Sequence, residues 1–157
     1  MPKGAQNSRK TESVTVRLDP KVRFALELLS RVEHRSVTGV VEAALQARFK
    51  NATVDGDDNG ETVQELVESV YQTDEVERFV KMAERAPQLL DFEERRLWES
   101  IWATPDLWDD SPGRRRRLED LDTRTLKLSW DGIREFVGEH ADEATVPEIP
   151  SRFTLPF

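Results

Sequence analysis

The hydrophobic pattern between Ser13 and Lys50 changes period once. Val14, Val16 and Leu18 are apolar, while Ser13, Thr15 and Arg17 are polar. Strict alternation of this kind predicts a half-buried strand. At Asp19 the spacing becomes helical. Asp19 supplies an N-cap and Pro20 a proline at the first helical position. Val22, Leu26 and Leu29, with Ala25 and Val32 alongside, make one face of a first helix that stops near His34-Arg35. Ser36 caps a second helix, whose apolar face is Val40, Val41, Ala44 and Leu45, extended by Phe49.

One strand and two helices do not form a stable unit alone. A lone strand leaves both edges unpaired, and so short a segment buries too little apolar surface. Pairing the strand with its copy in a second chain answers both problems. The expectation is a homodimer with an antiparallel two-stranded ribbon over four helices. Val14, Val16, Leu18, Leu26, Leu29, Val40, Val41, Ala44 and Leu45 would be its core.

Past Lys50 the pattern differs. Residues 51–61 are small, polar and acidic, with Gly56 and Gly60, and read as a linker. Residues 62–140 read as helices. Val63, Leu66, Val67 and Val70 recur at helical spacing; Thr73-Asp74-Glu75 restarts a helix faced by Val76, Phe79 and Val80. Asp91 caps a third helix, with Glu93 and Glu94 in the first turn, where the helix dipole favours them. A last helix is predicted from about Trp130 to Glu139. Residues 141–157 form a proline-containing tail. The expected fold class is mostly α: a strand and two helices, dimeric, followed by an all-α C-terminal region.

Charge divides at the same place. The net charge is −8. Residues 1–50 carry ten Lys/Arg and five Asp/Glu, a net +5; residues 51–157 carry 13 and 26, a net −13. A polyanion would meet the first part and not the second. With no Cys and two distant His, neither a disulfide framework nor a metal site is expected, and no cofactor. No apolar run approaches the roughly 18 residues of a membrane span, and the N-terminus lacks a signal-peptide core. A cytoplasmic protein is expected. No phosphate loop, metalloprotease helix or serine nucleophile motif is present, so an enzyme is not expected.

The alternating segment, Leu18-Asp19-Pro20, the helix after it and Arg35-Ser36 opening the second helix together resemble the ribbon-helix-helix family of DNA-binding proteins, of Arc, MetJ and CopG type. The likeness covers about residues 13–50. His34 stands where the family often has Gly in a left-handed turn, a conformation His tolerates better than most residues. The resemblance implies a ribbon in the major groove of double-stranded DNA, with Ser13, Thr15 and Arg17 at the base edges. Arg17 would bond guanine in bidentate fashion. The resemblance also implies a phosphate at the start of the second helix, beside Arg35, Ser36, Val37 and Thr38. Residues 1–12 read as a basic arm whose Lys3, Arg9 and Lys10 would settle on phosphates.

Two features exceed a minimal repressor. Phe24 and Leu28 form an apolar pair off the main stripe of the first helix, suited to an interdomain or dimer–dimer contact. Trp98, Trp102 and Trp108 lie close together; they suit either a small helical core or a site for a protein partner. The run Arg114 to Arg117 is flanked by acids and reads as locally paired or solvated. Two functions compete. One is a sequence-specific transcriptional regulator, a repressor. The other is an antitoxin or plasmid transfer or partition accessory protein whose acidic region binds a protein.

Overall fold

The computed structural model describes residues 13–109 and 116–154. Its chain divides into two compact units, one ending at Ala52 and one beginning at Thr53. The described residues are helical with irregular connections.

The first unit is a helix pair. Helix α1 runs Pro20–Val32. Asp19 caps it, its side chain accepting from the Lys21 N–H at 2.8 Å. It stops through local chemistry. The Arg35 N–H reaches the Ser30 carbonyl at 3.0 Å and the His34 N–H the Arg31 carbonyl at 3.4 Å. This is the Schellman pairing, which needs a left-handed residue after the cap. His34 takes that position at φ 53°. Helix α2, Val37–Asn51, starts at once. The Ser36 hydroxyl accepts from the Gly39 N–H at 3.0 Å.

The predicted N-terminal strand is not there, and with it goes the ribbon of the expected fold class. Residues 13–19 have no regular secondary structure, and among the described residues there is no β-strand. The isolated bridges among them are Thr53 with Thr62 and Trp108 with Leu121. The physical reason is that alternation supplies only the side-chain half of a strand. The backbone half is a row of N–H and C=O groups bonded to a neighbour, and no other described segment pairs with Ser13–Leu18. The mostly α part of the expectation fits.

In the second unit, residues 53–62 fold as a closed turn. The Val54 N–H bonds the Glu61 carbonyl at 2.9 Å, and the Gly60 N–H bonds the Asp57 carbonyl at 2.8 Å. Gly56 supplies a left-handed φ of 78°. Val54 packs on Leu66, Val70 and Ala86. Helix α3, Val63–Val70, opens with a capping box of Thr62 and Glu65. Helix α4, Glu75–Arg85, is capped by Asp74. Helix α5, Phe92–Ala103, has a second capping box, Asp91 with Glu94.

Helix α6, Thr123–Glu139, begins seven positions before the predicted Trp130. Asp122 caps it, accepting from the Thr125 N–H at 3.0 Å and its hydroxyl at 2.6 Å. A three-residue 3₁₀ turn, Ser151–Phe153, follows near the end. The core joins α4, α5 and α6 around Ile101, Leu107, Leu126 and Ile133, all essentially inaccessible. Residues 140–149 are tied to α5 by polar bonds. The Arg96 guanidinium donates to the carbonyls of His140, Glu143 and Thr145 at 2.9, 2.8 and 2.8 Å. Among the described residues no helix is long and apolar enough to cross a membrane.

Candidate nucleic-acid interface

Ser13, Thr15 and Arg17 are all exposed, so two hydroxyls and a guanidinium face solvent within one short segment. Their apolar alternates are exposed as well: Val14 by 85%, Val16 by 68% and Leu18 by 46%. The segment therefore has two wet sides in a single chain, not the one buried side that alternation predicts.

The start of α2 is open. Val37 and Thr38 are exposed, and their N–H groups make no hydrogen bond among the described residues. Both groups lie in the first turn, at the positive end of the helix dipole. Ser36 is engaged as the cap, and Arg35 lies against Glu33 at 3.9 Å while staying largely exposed. Gly39 belongs to this corner and is not singled out by the hydrophobic pattern. A β-carbon there would stand 3.3 Å from the Ser36 hydroxyl oxygen, so Gly leaves the cap its room. Lys3, Arg9 and Lys10 lie outside the described residues.

Among the residues assigned to a dimer core, Val40 is buried and Leu26 half-buried within the chain. Leu29, Val41 and Leu45 are exposed by 42%, 37% and 48%, and Ala44 is exposed too. Among the described residues of α1 and α2, Val40 alone is buried. Phe24 and Leu28 are exposed and belong to no apolar cluster among the described residues.

The three tryptophans belong largely to the core of the second unit. Trp108 is buried, and its indole N–H donates to the Ile101 carbonyl at 2.8 Å. Trp102 stacks on it with ring centroids 4.4 Å apart, and Trp98 meets Trp102 edge-on at 6.0 Å. Arg116 lies over the Trp108 ring at 5.5 Å, and Arg117 pairs with Glu119 at 3.2 Å. Arg114 and Arg115 are outside the described residues. Among the described residues no group of three or more His, Cys, Asp or Glu is placed to hold a metal ion.

Compared with known proteins, the chain matches no family model, no curated protein and no solved structure.

Proposed function

We propose that this chain is a sequence-specific DNA-binding regulator of the cytoplasm, acting as a repressor and as a homodimer. One observation carries the reading. The boundary between the compact units, Ala52 to Thr53, falls where the charge changes sign, from a net +5 to a net −13. The basic unit also holds the groups suited to DNA. Ser13, Thr15 and Arg17 would read base edges, and the open N-terminus of α2 with Arg35 would take a backbone phosphate. A second copy is proposed because, among its described residues, this unit buries only Val40 of its own apolar side chains.

The test is selection of duplexes from a random pool by the full chain, then titration of the selected site and of random DNA. Specific binding should exceed random binding, and Arg17→Ala should weaken the specific site by about 1–3 kcal/mol while changing random binding less. Failure of the pool to converge on any sequence would remove the claim of specificity. Equal loss on both DNAs would make Arg17 a phosphate contact.

A further inference from the structure

Two cavities adjoin on the second unit. One, of about 340 Å³, is lined chiefly by Val67, Val70, Tyr71, Phe79 and Met82. The other, of about 440 Å³, carries Asp91, Glu93, Glu94, Asp131 and Glu135 beside Phe92. Glu94, Leu97 and Arg134 belong to both walls, so the two cavities lie side by side and are treated together as one groove. Its rims expose Tyr71 by 62%, Phe92 by 66% and Val67 by 48%.

The lining also holds three cations, Arg78, Arg96 and Arg134. Arg134 bonds Glu75 at 2.9 Å. Arg96 donates from Nη2 to three carbonyls of residues 140–145 and keeps its charge. Arg78 donates to the Gln72 carbonyl at 2.9 Å. Glu93, Asp131 and Glu135 have no ion pair among the described residues. One end of the groove thus lacks an apolar filling, and at the other five carboxylates outnumber the two guanidiniums of Arg96 and Arg134.

We propose that this groove binds a basic, amphipathic segment of a protein partner. An apolar side chain enters between Tyr71 and Phe79, and a Lys or Arg meets Glu93, Asp131 and Glu135. Charge complementarity decides the class of occupant. Nucleic acid and acidic peptides are repelled by the carboxylates of Asp91, Glu93, Glu94, Asp131 and Glu135, and a purely apolar ligand would leave them unanswered. The two cavities side by side call for an elongated occupant with both chemistries. This inference does not depend on the DNA-binding reading, since every residue in it belongs to the second unit.

The probe is a fluorescein-labelled peptide of repeated Leu-Lys-Lys-Leu, titrated with the full chain. Leu-Glu-Glu-Leu and Gly-Lys-Lys-Gly peptides serve as controls. The first should bind at least about tenfold more tightly than either control. Tyr71→Ser, and Glu93→Lys with Glu135→Lys, should each weaken it by about tenfold or more. Glu84→Lys with Glu99→Lys makes the same charge change at exposed positions outside the groove and should leave binding within about twofold. Circular dichroism checks that every variant is folded. Equal loss in the two charge-reversed pairs would mean bulk attraction and overturn the proposal. So would no binding of the first peptide, binding that ignores the groove substitutions, or tight binding of either control peptide that the groove substitutions weaken. Loss of the groove's accessibility through self-association, seen as peptide release at high protein concentration, would overturn it too and assign the groove to a second copy.

Discussion

Leu45→Glu tests whether the helix pair of the first unit depends on a second copy. Leu45 sits on α2 and is exposed by 48%. Covering what remains exposed of Val14, Val16, Leu18, Leu29, Val41 and Leu45 is worth about 1 kcal/mol each by area. For two chains that is roughly 12 kcal/mol. Lost translational and rotational freedom takes back at least about 4 kcal/mol. The remainder, on the order of 5–8 kcal/mol, corresponds to a dimer dissociating in the micromolar range or somewhat above. A glutamate at this position forfeits the covering and places an unpaired carboxylate in the contact on both chains, at about 3 kcal/mol or more each. The dimer should then be lost at any practical concentration. Sedimentation velocity from about 1 to 100 µM reads the association directly. Thermal midpoints of the native chain should rise over the same range, because association stabilises only the folded form. A native chain that stays monomeric throughout, with α1 and α2 melting cooperatively, would refute the reasoning. So would a Leu45→Glu variant that remains dimeric.

Other predictions concern the second unit. Thr104→Val removes the bond from the Thr104 hydroxyl to the Ser100 carbonyl, at 2.8 Å, and orphans the buried Ile149 N–H, now 2.9 Å from that hydroxyl. It should cost about 1–3 kcal/mol in urea denaturation and speed amide exchange at Ile149; unchanged exchange would show that Ile149 finds another acceptor. Hydrogen bonds from the Thr125 hydroxyl and N–H hold the Asp122 carboxyl below its usual pKa. Its contribution is therefore present above the unfolded value of about 3.9 and lost as pH falls through the lower folded value. Asp122→Ala should cost about 1 kcal/mol near neutral pH and reduce the acid dependence of the thermal midpoint; an unaltered acid limb would place that dependence on other carboxylates.

What the sequence made legible was local chemistry. Asp19, Ser36, Asp74 and Asp91 cap helices because each is followed within three residues by the N–H it accepts from, and that spacing is visible in the chain. The start of α6 was less visible. Thr123 and Thr125 are weak helix formers, and Leu126 and Leu128 alternate as in a strand. Only the Asp122–Thr125 bonds and burial of Leu126 resolve the first turns as helix. The turn at 53–62 has linker composition, yet it closes through the Val54–Glu61 bond and the packing of Val54 on α3. The ties from Arg96 to residues 140–145, and from Thr104 to Ile149, join positions more than forty residues apart. No periodicity encodes such pairs. The alternation of Ser13–Leu18 gives the side-chain half of a strand, while the backbone pairing that would complete one is made with no other described segment. The groove beside Phe92 was hidden too, because Asp131 and Glu135 come from α6 and Glu93 from α5.

The central claim is that the basic unit, and not the acidic one, meets DNA. A titration of the isotope-labelled full chain with its selected duplex, followed by amide NMR shifts, tests it most directly. The account predicts shifts concentrated at Ser13, Thr15 and Arg17 and at Arg35–Thr38, weakening steeply as salt is raised. Shifts concentrated between Thr53 and Thr154, with residues 13–38 unmoved, would contradict it.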